Sequence, residues 1–318
     1  MGPITFAGNY IDRVGELRTQ PALLEAALKN ETTRFMPVWQ GNCLVRGERL
    51  AMLPLAVVEP LLPQADELIL LGKIEGSHVF CMASSDAAAA LDPTFEFAGL
   101  RDISSRLAAP EAALAAYAKA IVAWQESHRF CGLCGAANRS AEAGFVMACT
   151  APDCGHRAFP RLDPAIIVLA TRDDQCLLGR KPEWPAGRFS TIAGFVEPGE
   201  SLEDALRREV REETNIVVAD CHYLGSQPWP FPAALMIGFH AHATSTDIVC
   251  NDGELAEARW VSRDDIAAER IVLPPSISIA YRLIEAWFDD SDGPTLASLK
   301  LPAPPLRIPR PLEDEQTR

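Results

Sequence analysis

The stretch "GFVEPGESLEDALRREVREETNI", Gly194–Ile216, constrains the fold of this chain more than any other. Ser201 followed three residues later by Asp204 resembles a capping box and predicts a helix beginning at about Leu202. Leu202, Leu206 and Val210 recur every fourth residue and form a buried stripe. Asn215 follows the last turn, where a left-handed residue ends a helix. The loop Gly194–Glu200, with two Gly and one Pro, reads as a rigid turn. Beside the apolar stripe lie Glu209, Glu212 and Glu213. Carboxylates three and four apart on a helix repel one another. Two readings account for them: a solvated charged face, or a site for a hard divalent cation such as Mg²⁺, which takes oxygen ligands. Loop, cap and helix agree on the second.

A second cluster implies a different metal. Cys131-x2-Cys134 and Cys149-x4-Cys154 are two knuckles whose Gly132, Gly135 and Gly155 permit tight turns. Four thiolates so paired suit a tetrahedral, closed and therefore structural Zn²⁺ site. His156 ranks behind the four cysteines as a ligand. Buried free thiols and a redox pair are the alternatives. The other cysteines, Cys43, Cys81, Cys176, Cys221 and Cys250, read as small buried hydrophobes; nine in all argues against a disulfide framework.

The 318 residues allow two domains with cores of their own. Residues 1–125 read as an α/β domain, with a helix at Leu23–Asn30 and a strand leading to a turn at Arg34–Gly47. Two strand-like runs follow around Gly72–Gly76, then an Ala-rich helix at Glu111–His128 after Pro110. Leu114, Ala118, Ile121 and Trp124 share one face of that helix. Residues 126–158 are the cysteine segment. Residues 159–292 form the domain that carries the glutamate helix. Its further strands are expected at Asp163–Thr171, Gln175–Lys181, Ala234–Ala243 and Glu257–Ser262, with a closing helix at Ser278–Phe288. Residues 293–318 read as a Pro-rich tail.

A net charge of −14 gives no long-range attraction for nucleic acid or anionic membranes. No apolar run is long enough to span a bilayer, and the N-terminus lacks a charged segment followed by an apolar run. A cytoplasmic protein with no membrane association is expected.

Gly194, Glu200, Arg208, Glu209, Val210, Glu212, Glu213 and Ile216 fill the pattern G-x5-E-x7-R-E-U-x-E-E-x-G-U. The chain therefore resembles the Nudix hydrolases, with Asn215 where the family has Gly. Ten residues on, "SQPWPFPAALM" (Ser226–Met236) reads either as a stiff turn or as a stacking surface with exposed aromatic faces. It is similar to the SQPWPFPxS signature of the NADH pyrophosphatase branch, with Ala234 in place of the final Ser. The resemblance implies an α+β fold. It implies a Nudix α/β/α sandwich domain preceded by a four-cysteine zinc ribbon and a divergent Nudix-like α/β N-terminal domain. It implies a homodimer that splits NADH or NAD⁺ into AMP and nicotinamide mononucleotide. Removal of NAD caps from RNA 5′ ends by the same site is the alternative. A broader nucleoside diphosphate-derivative pyrophosphatase and a non-catalytic Nudix-like ligand sensor are the rivals.

By the same resemblance, Mg²⁺ or Mn²⁺ would be held by the Ala193 carbonyl, Glu209, Glu213 and Glu254, with Glu212 a further catalytic candidate. Substrate contacts would be Phe159, Phe195, Ala280 and the run Gln227, Pro228, Trp229, Pro230, Phe231, Pro232, Ala233 and Ala234. Glu200 and Arg208 would brace the loop against the helix. Arg157, Arg161, Arg180, Lys181 and Arg188 form either a basic guide for an RNA end or ordinary surface.

Overall fold

A computed structural model of the chain describes residues 2–64, 67–83, 93–251, 253–299 and 301. It divides into two compact units: Thr5–Asp163 with Pro228–Leu235, and Pro164–Gln227 with Met236–Arg318 and Met1–Ile4.

In the first unit, α1 is Pro21–Leu28 and the strands open with β1 (Arg34–Trp39), β2 (Asn42–Arg46), β3 (Arg49–Leu50) and β4 (Leu53–Pro54). Then come α2 (Leu55–Val58), β5 (Glu67–Ile74), β6 (Ser77–Ala83), β7 (Glu96–Gly99), α3 (Leu100–Ile103) and α4 (Ala109–Ser127). The sheet runs β3-β2-β1-β6-β5, with β4 on β1 and β7 on β2. The expected single strand at Arg34–Gly47 is a hairpin, with Val38 opposite Cys43 across a Gln40–Gly41 turn. Its strands are covered on both faces, which is why their residues are apolar in runs and do not alternate cleanly. Met36, Val38, Cys43 and Val45 pack with α4, whereas Phe35 and Leu44 pack with Ala27 and Val58. Ala112, Ala115, Ala116 and Ala118 are all buried, and their small side chains let α4 lie close to the sheet. Leu114, Ile121 and Trp124 share that burial, and Pro110 sits within the first turn of α4.

Residues after α4 form a small sheet of β8 (Asn138–Ala141), β9 (Val146–Cys149) and β10 (Arg157–Ala158). Gly135 and Gly155 take positive φ values of 75° and 62°, the knuckle geometry that glycine favours. Gly132 does not, so its place in the first knuckle is not a conformational demand.

The second unit is built from β11 (Asp163–Arg172), β12 (Gln175–Arg180), β13 (Ile192–Phe195), α5 (Leu202–Thr214) and β14 (Val218–Trp229). β15 (Ala234–Ala243), β16 (Glu257–Ser262), α6 (Arg263–Ala267) and α7 (Ile279–Phe288) complete it. The sheet order is β14-β15-β11-β12-β16, with β13 on β11. The apolar run of β11 serves two cores. Ile166, Val168 and Ala170 face Leu206 and Val210 of α5; Ile167 and Leu169 face Leu283 and Ile284 of α7. This is an α/β/α sandwich, with α5 on one face and α7 with the short α6 on the other.

β14 is the principal element that sequence reasoning missed. It mixes buried Val218, Gly225 and Gln227 with exposed Asp220, His222 and Tyr223, so no clean period-two pattern survives. The stretch Ser226–Met236 is accordingly not one long loop: only residues 230–233 separate β14 from β15. Beyond α7, Leu296 is buried in the α7-side core with Leu299 and Leu301 packed against it, inside the segment read as a tail. Residues 302–318 of that tail lie outside the described residues. Among the scattered cysteines, Cys43, Cys81 and Cys176 are buried, but Cys221 is half-buried and Cys250 exposed.

Candidate active site

Helix α5 begins and ends as its residues dictate. Ser201 Oγ accepts a hydrogen bond from the Asp204 backbone N–H at 3.1 Å, and Asn215 closes the helix at φ 63°. Asn tolerates that left-handed conformation better than most residues. Asn215 Nδ2–H also donates to the Asp247 carbonyl at 3.2 Å, which fixes the position further.

Arg208 organises the carboxylates. Its Nε–H and Nη2–H donate to the two oxygens of Glu200 at 2.7 and 2.9 Å. Nη1–H donates to Glu209 Oε1 at 2.9 Å and Glu212 Oε2 at 3.0 Å, and Nη2–H reaches the Phe195 carbonyl at 3.0 Å. One planar guanidinium thus ties the loop, the end of β13 and the α5 face together, a geometry that lysine cannot reproduce. The pairing with Glu200 raises Arg208 above its ordinary value. Arg208 in turn holds the Glu200 carboxyl down at about 2, helped by the Glu197 backbone N–H.

Glu209 is held differently. A Cβ added at Gly194 would fall 1.9 Å from its carboxyl carbon, so the absence of a side chain at Gly194 is what admits the carboxylate against β13. Ala193 and Gly194 pair with Ile167 and Ile166 of β11, which fixes this floor. Burial is the main force raising the Glu209 carboxyl; Arg208 opposes it, and the negative charges of Glu212 and Glu254 add to the rise. Glu213, one turn on, is only 2% exposed. Glu254 is exposed, 3.8 Å from the Lys181 ammonium. This donor set fits a hard cation: several carboxylate oxygens whose mutual repulsion a divalent charge would cancel.

The four-cysteine cluster is already gathered. The sulfurs of Cys131, Cys134, Cys149 and Cys154 lie within 4.8 Å of one another, and they are the one such group of potential ligands among the described residues. Cys131 and Cys154 are 3.8 Å apart, Cys134 and Cys149 3.5 Å. Backbone N–H groups of Cys134 and Leu133 lower the Cys131 thiol, whereas the Cys149 and Cys154 thiols are raised from their ordinary value. The donor set fits Zn²⁺. His156 is outside it, and its backbone carbonyl accepts from the Cys149 N–H.

The other anticipated contacts divide between the two units. Phe195, at 60% exposure, presents its ring in the second unit, where Ala280 is buried in α7. Gln227 is fully buried: Nε2–H donates to the Ile277 carbonyl at 2.7 Å, and Oε1 accepts the Ile279 N–H at 2.8 Å. It therefore joins β14 to the start of α7, and its amide is committed to backbone. In the first unit Phe159 is 54% exposed, with the Arg157 guanidinium 6.0 Å from its ring centre.

Trp229 and Phe231 are packed within the first unit, where Trp229 lines a cavity. Both are half-buried, packed edge to face at 5.0 Å and 6.1 and 6.5 Å from Phe6, with the Arg101 guanidinium 4.3 Å over Phe231. Pro230 and Ala234 are buried, Ala233 is half-buried, and Pro228 and Pro232 are exposed. The basic residues are placed unit by unit, and Arg161 in the first unit is exposed. Arg157 pairs with Glu142, Arg180 with Glu257 and Lys181 with Glu254, while Arg188 is buried beside Trp184. Sequence reasoning missed the Gly194 contact with Glu209 and the structural use of Gln227, since neither leaves a periodic signal.

Comparison with known proteins accords with this arrangement. Residues 161–283 match the NUDIX domain, 32–124 the NADH pyrophosphatase-like rudimentary NUDIX domain and 126–159 the NADH pyrophosphatase zinc ribbon domain. A protein of Mycobacterium bovis named NAD-capped RNA hydrolase NudC is 37% identical over 300 residues, covering 87% of this chain and 92% of its own. A NudC of the same description from Pseudomonas fluorescens is 46% identical over 54% of this chain and 60% of its own. The human NAD-capped RNA hydrolase NUDT12 is 39% identical over 56% of this chain and 42% of its own. The chain belongs to the NADH pyrophosphatase family of Nudix hydrolases.

Proposed function

We propose that the protein hydrolyses the pyrophosphate bond of NADH or NAD⁺, giving AMP and the reduced or oxidised nicotinamide mononucleotide. The observation that carries this reading is the Arg208-clamped carboxylate face of α5, complete in every acidic position of its motif. Mg²⁺ or Mn²⁺, held by Glu209, Glu213, Glu254 and the Ala193 carbonyl, would neutralise the phosphates and lower the pKa of a water.

The residues of the chain supply the rest. Water adds across one P–O–P linkage: a new P–O bond forms, the bridging bond breaks, and the water's proton passes to Glu212, Glu213 or Glu254. Glu200 and Arg208 position that set without touching the reacting atoms. Phe195 offers an exposed ring on which a base or nicotinamide can stack. Zn²⁺ in the ribbon is structural, since four thiolates leave no coordination position open.

Removal of NAD caps from RNA is the second reading, favoured by the printed names of the relatives in Mycobacterium bovis and human. It uses the same carboxylates on a substrate with the same pyrophosphate. We also take the protein to be a cytoplasmic homodimer, which sedimentation equilibrium tests directly.

The deciding experiment is product analysis with NADH, ADP-ribose and NAD-capped RNA in the presence of Mg²⁺ or Mn²⁺. AMP plus reduced nicotinamide mononucleotide, absent with Glu213→Gln, supports the proposal. Intact NADH beside a cleaved alternative overturns the substrate assignment and leaves the fold standing.

A further inference from the structure

The carboxylates of the proposed site are served by two cations. Arg208 holds Glu209 and Glu212 on α5, and the Lys181 ammonium stands 3.8 Å from Glu254. The second pair is built by the ladder between β12 and β16. Arg180 lies opposite Glu257, and the Ala256 N–H donates to the Arg180 carbonyl at 2.9 Å, so the pairing runs one step past both strands. That step brings Lys181, just beyond β12, to Glu254, shortly before β16. Leu255 locks the arrangement. It is buried, and a Cβ added at Gly179 would fall 2.8 Å from its Cδ1 and 3.2 Å from Cδ1 of Ile192. The segment that carries Glu254 is therefore pressed through Gly179 onto β13, where Ala193 follows Ile192.

The two cations are mounted differently. Arg208 spreads one planar fork over several acceptors, whereas Lys181 meets Glu254 as a point charge on a flexible stem. Both members of that pair are open to water, Lys181 at 39% and Glu254 at 62% side-chain exposure, and such a pair contributes little stability. The neighbouring Arg180 is committed, to Glu257 at 3.7 Å and to the carbonyls of Lys181 and Trp184 at 3.4 Å each. The Lys181 carbonyl also accepts the Trp184 N–H at 3.1 Å, so a mobile side chain starts from a fixed backbone. Burial is the main force raising the Glu209 carboxyl, and the charge of Glu254 adds to the rise, which places Glu254 within electrostatic reach of α5. A divalent cation taken up by Glu209 and Glu254 would meet the repulsion of the Lys181 ammonium. The phosphates of a substrate bring the negative charge that relieves it.

We propose that Lys181 couples loading of the metal to arrival of the pyrophosphate: its ammonium neutralises Glu254 before a cation binds and turns to the substrate phosphates once Glu254 serves the metal. This role presupposes the proposed metal ligation by Glu254. Lys181 then opposes the cation in the free protein and favours it when phosphates are present. Linkage makes the effect reciprocal, so the metal raises affinity for the pyrophosphate by the same factor as the pyrophosphate raises affinity for the metal. The choice of side chain follows: a rigid fork at position 208 holds the α5 carboxylates still, and a flexible ammonium at position 181 changes partner.

The test uses the full zinc-loaded chain and Mn²⁺, whose free ion is read by electron paramagnetic resonance. Titrations are run without and with an NAD⁺ analogue that has a methylene group in place of the bridging oxygen. Without the analogue, Lys181→Gln is expected to bind Mn²⁺ about threefold more tightly than the wild type. With the analogue that advantage should vanish or reverse. In turnover, Lys181→Gln should raise the KM for NADH about threefold with a smaller change in kcat. Lys181→Arg keeps the charge and should follow the wild type in the metal titration. Unchanged Mn²⁺ affinity in Lys181→Gln overturns the proposal. Weaker Mn²⁺ binding there overturns it too, by making Lys181 a brace that holds Glu254 ready for the metal. Unchanged Mn²⁺ binding in Glu254→Gln overturns the metal assignment of Glu254 and the coupling with it. Uncleaved NADH overturns the substrate assignment alone, since the Mn²⁺ titrations need no turnover.

Discussion

Two clusters in this molecule carry potential metal ligands, and they are prepared in opposite ways. The four ribbon sulfurs are already gathered within 4.8 Å of one another, while the carboxylates of α5 are spread along a guanidinium. The difference follows from the ligands. Neutral thiols do not repel, and two short knuckles bring them together through backbone turns alone. Carboxylates carry full charge before any cation arrives. Arg208 stands in for part of that missing charge, so Glu209 and Glu212 can share a face without the fold paying their full repulsion. A closed soft site thus behaves as part of the fold, and an open hard site behaves as an instrument carried by it.

The largest effect should come from breaking the soft site. Cys149→Ser is expected to release zinc and unravel the ribbon, since structural zinc supplies about 10–16 kcal/mol in small zinc domains. Metal analysis should find one zinc per chain in the wild type and a deficit in the variant, with loss of ordered signal over β8–β10. Next comes the hard site. Glu213→Gln should lower kcat by about 10²–10⁴-fold, the range for a lost acid–base or metal-site carboxylate, with an unchanged far-UV spectrum. Stripping divalent cations from that site should likewise abolish turnover reversibly and leave the melting temperature nearly where it was. If Glu213→Gln instead retained turnover, the contrast between a structural and a functional metal cluster would collapse.

The sequence declares these two clusters with unequal clarity from the rest. Helix α5 is legible to the residue because three local devices agree: Ser201 caps, Leu206 and Val210 are buried, and Asn215 turns left-handed. The ribbon is legible because cysteine pairs at short spacing have few other uses. β14 is not legible: its exposed His222 and Tyr223 and its Pro228 erase the alternation of a strand, and only pairing with β15 defines it. Gln227 reads as a polar residue in a ligand loop, yet its burial and two backbone hydrogen bonds make it a tie between β14 and α7. Trp229 and Phe231 look like exposed stacking rings until Phe6, far away in sequence, is seen to pack on them. Long-range contacts of that kind leave no trace in local periodicity.

A smaller effect sharpens the role of Arg208. Arg208→Lys keeps the positive charge but loses the fork that reaches Glu200, Glu209 and the Phe195 carbonyl together. The expected cost is about 1–3 kcal/mol of stability, the range for charge-assisted hydrogen bonds left incomplete. Denaturant unfolding measures it, and a KM that rises less than kcat falls would separate a positioning role from substrate contact.

The smallest effect is a pH dependence, and its sign is fixed by Glu200. Arg208 and the Glu197 N–H hold its folded carboxyl at about 2, against an ordinary value of 4.5. On acidification the unfolded chain therefore takes up this proton first, and the native state is progressively disfavoured. The stabilisation is fully present above pH 4.5 and is lost as pH falls towards 2. Glu200→Gln lacks it at every pH. The melting temperatures of wild type and variant should then differ most near neutrality and converge below pH 4.5. A gap that persisted undiminished down to the folded value would mean that packing of the loop, and not its charge pairing with Arg208, is what Glu200 supplies; the hard site would then be braced much as the soft one is, by backbone geometry.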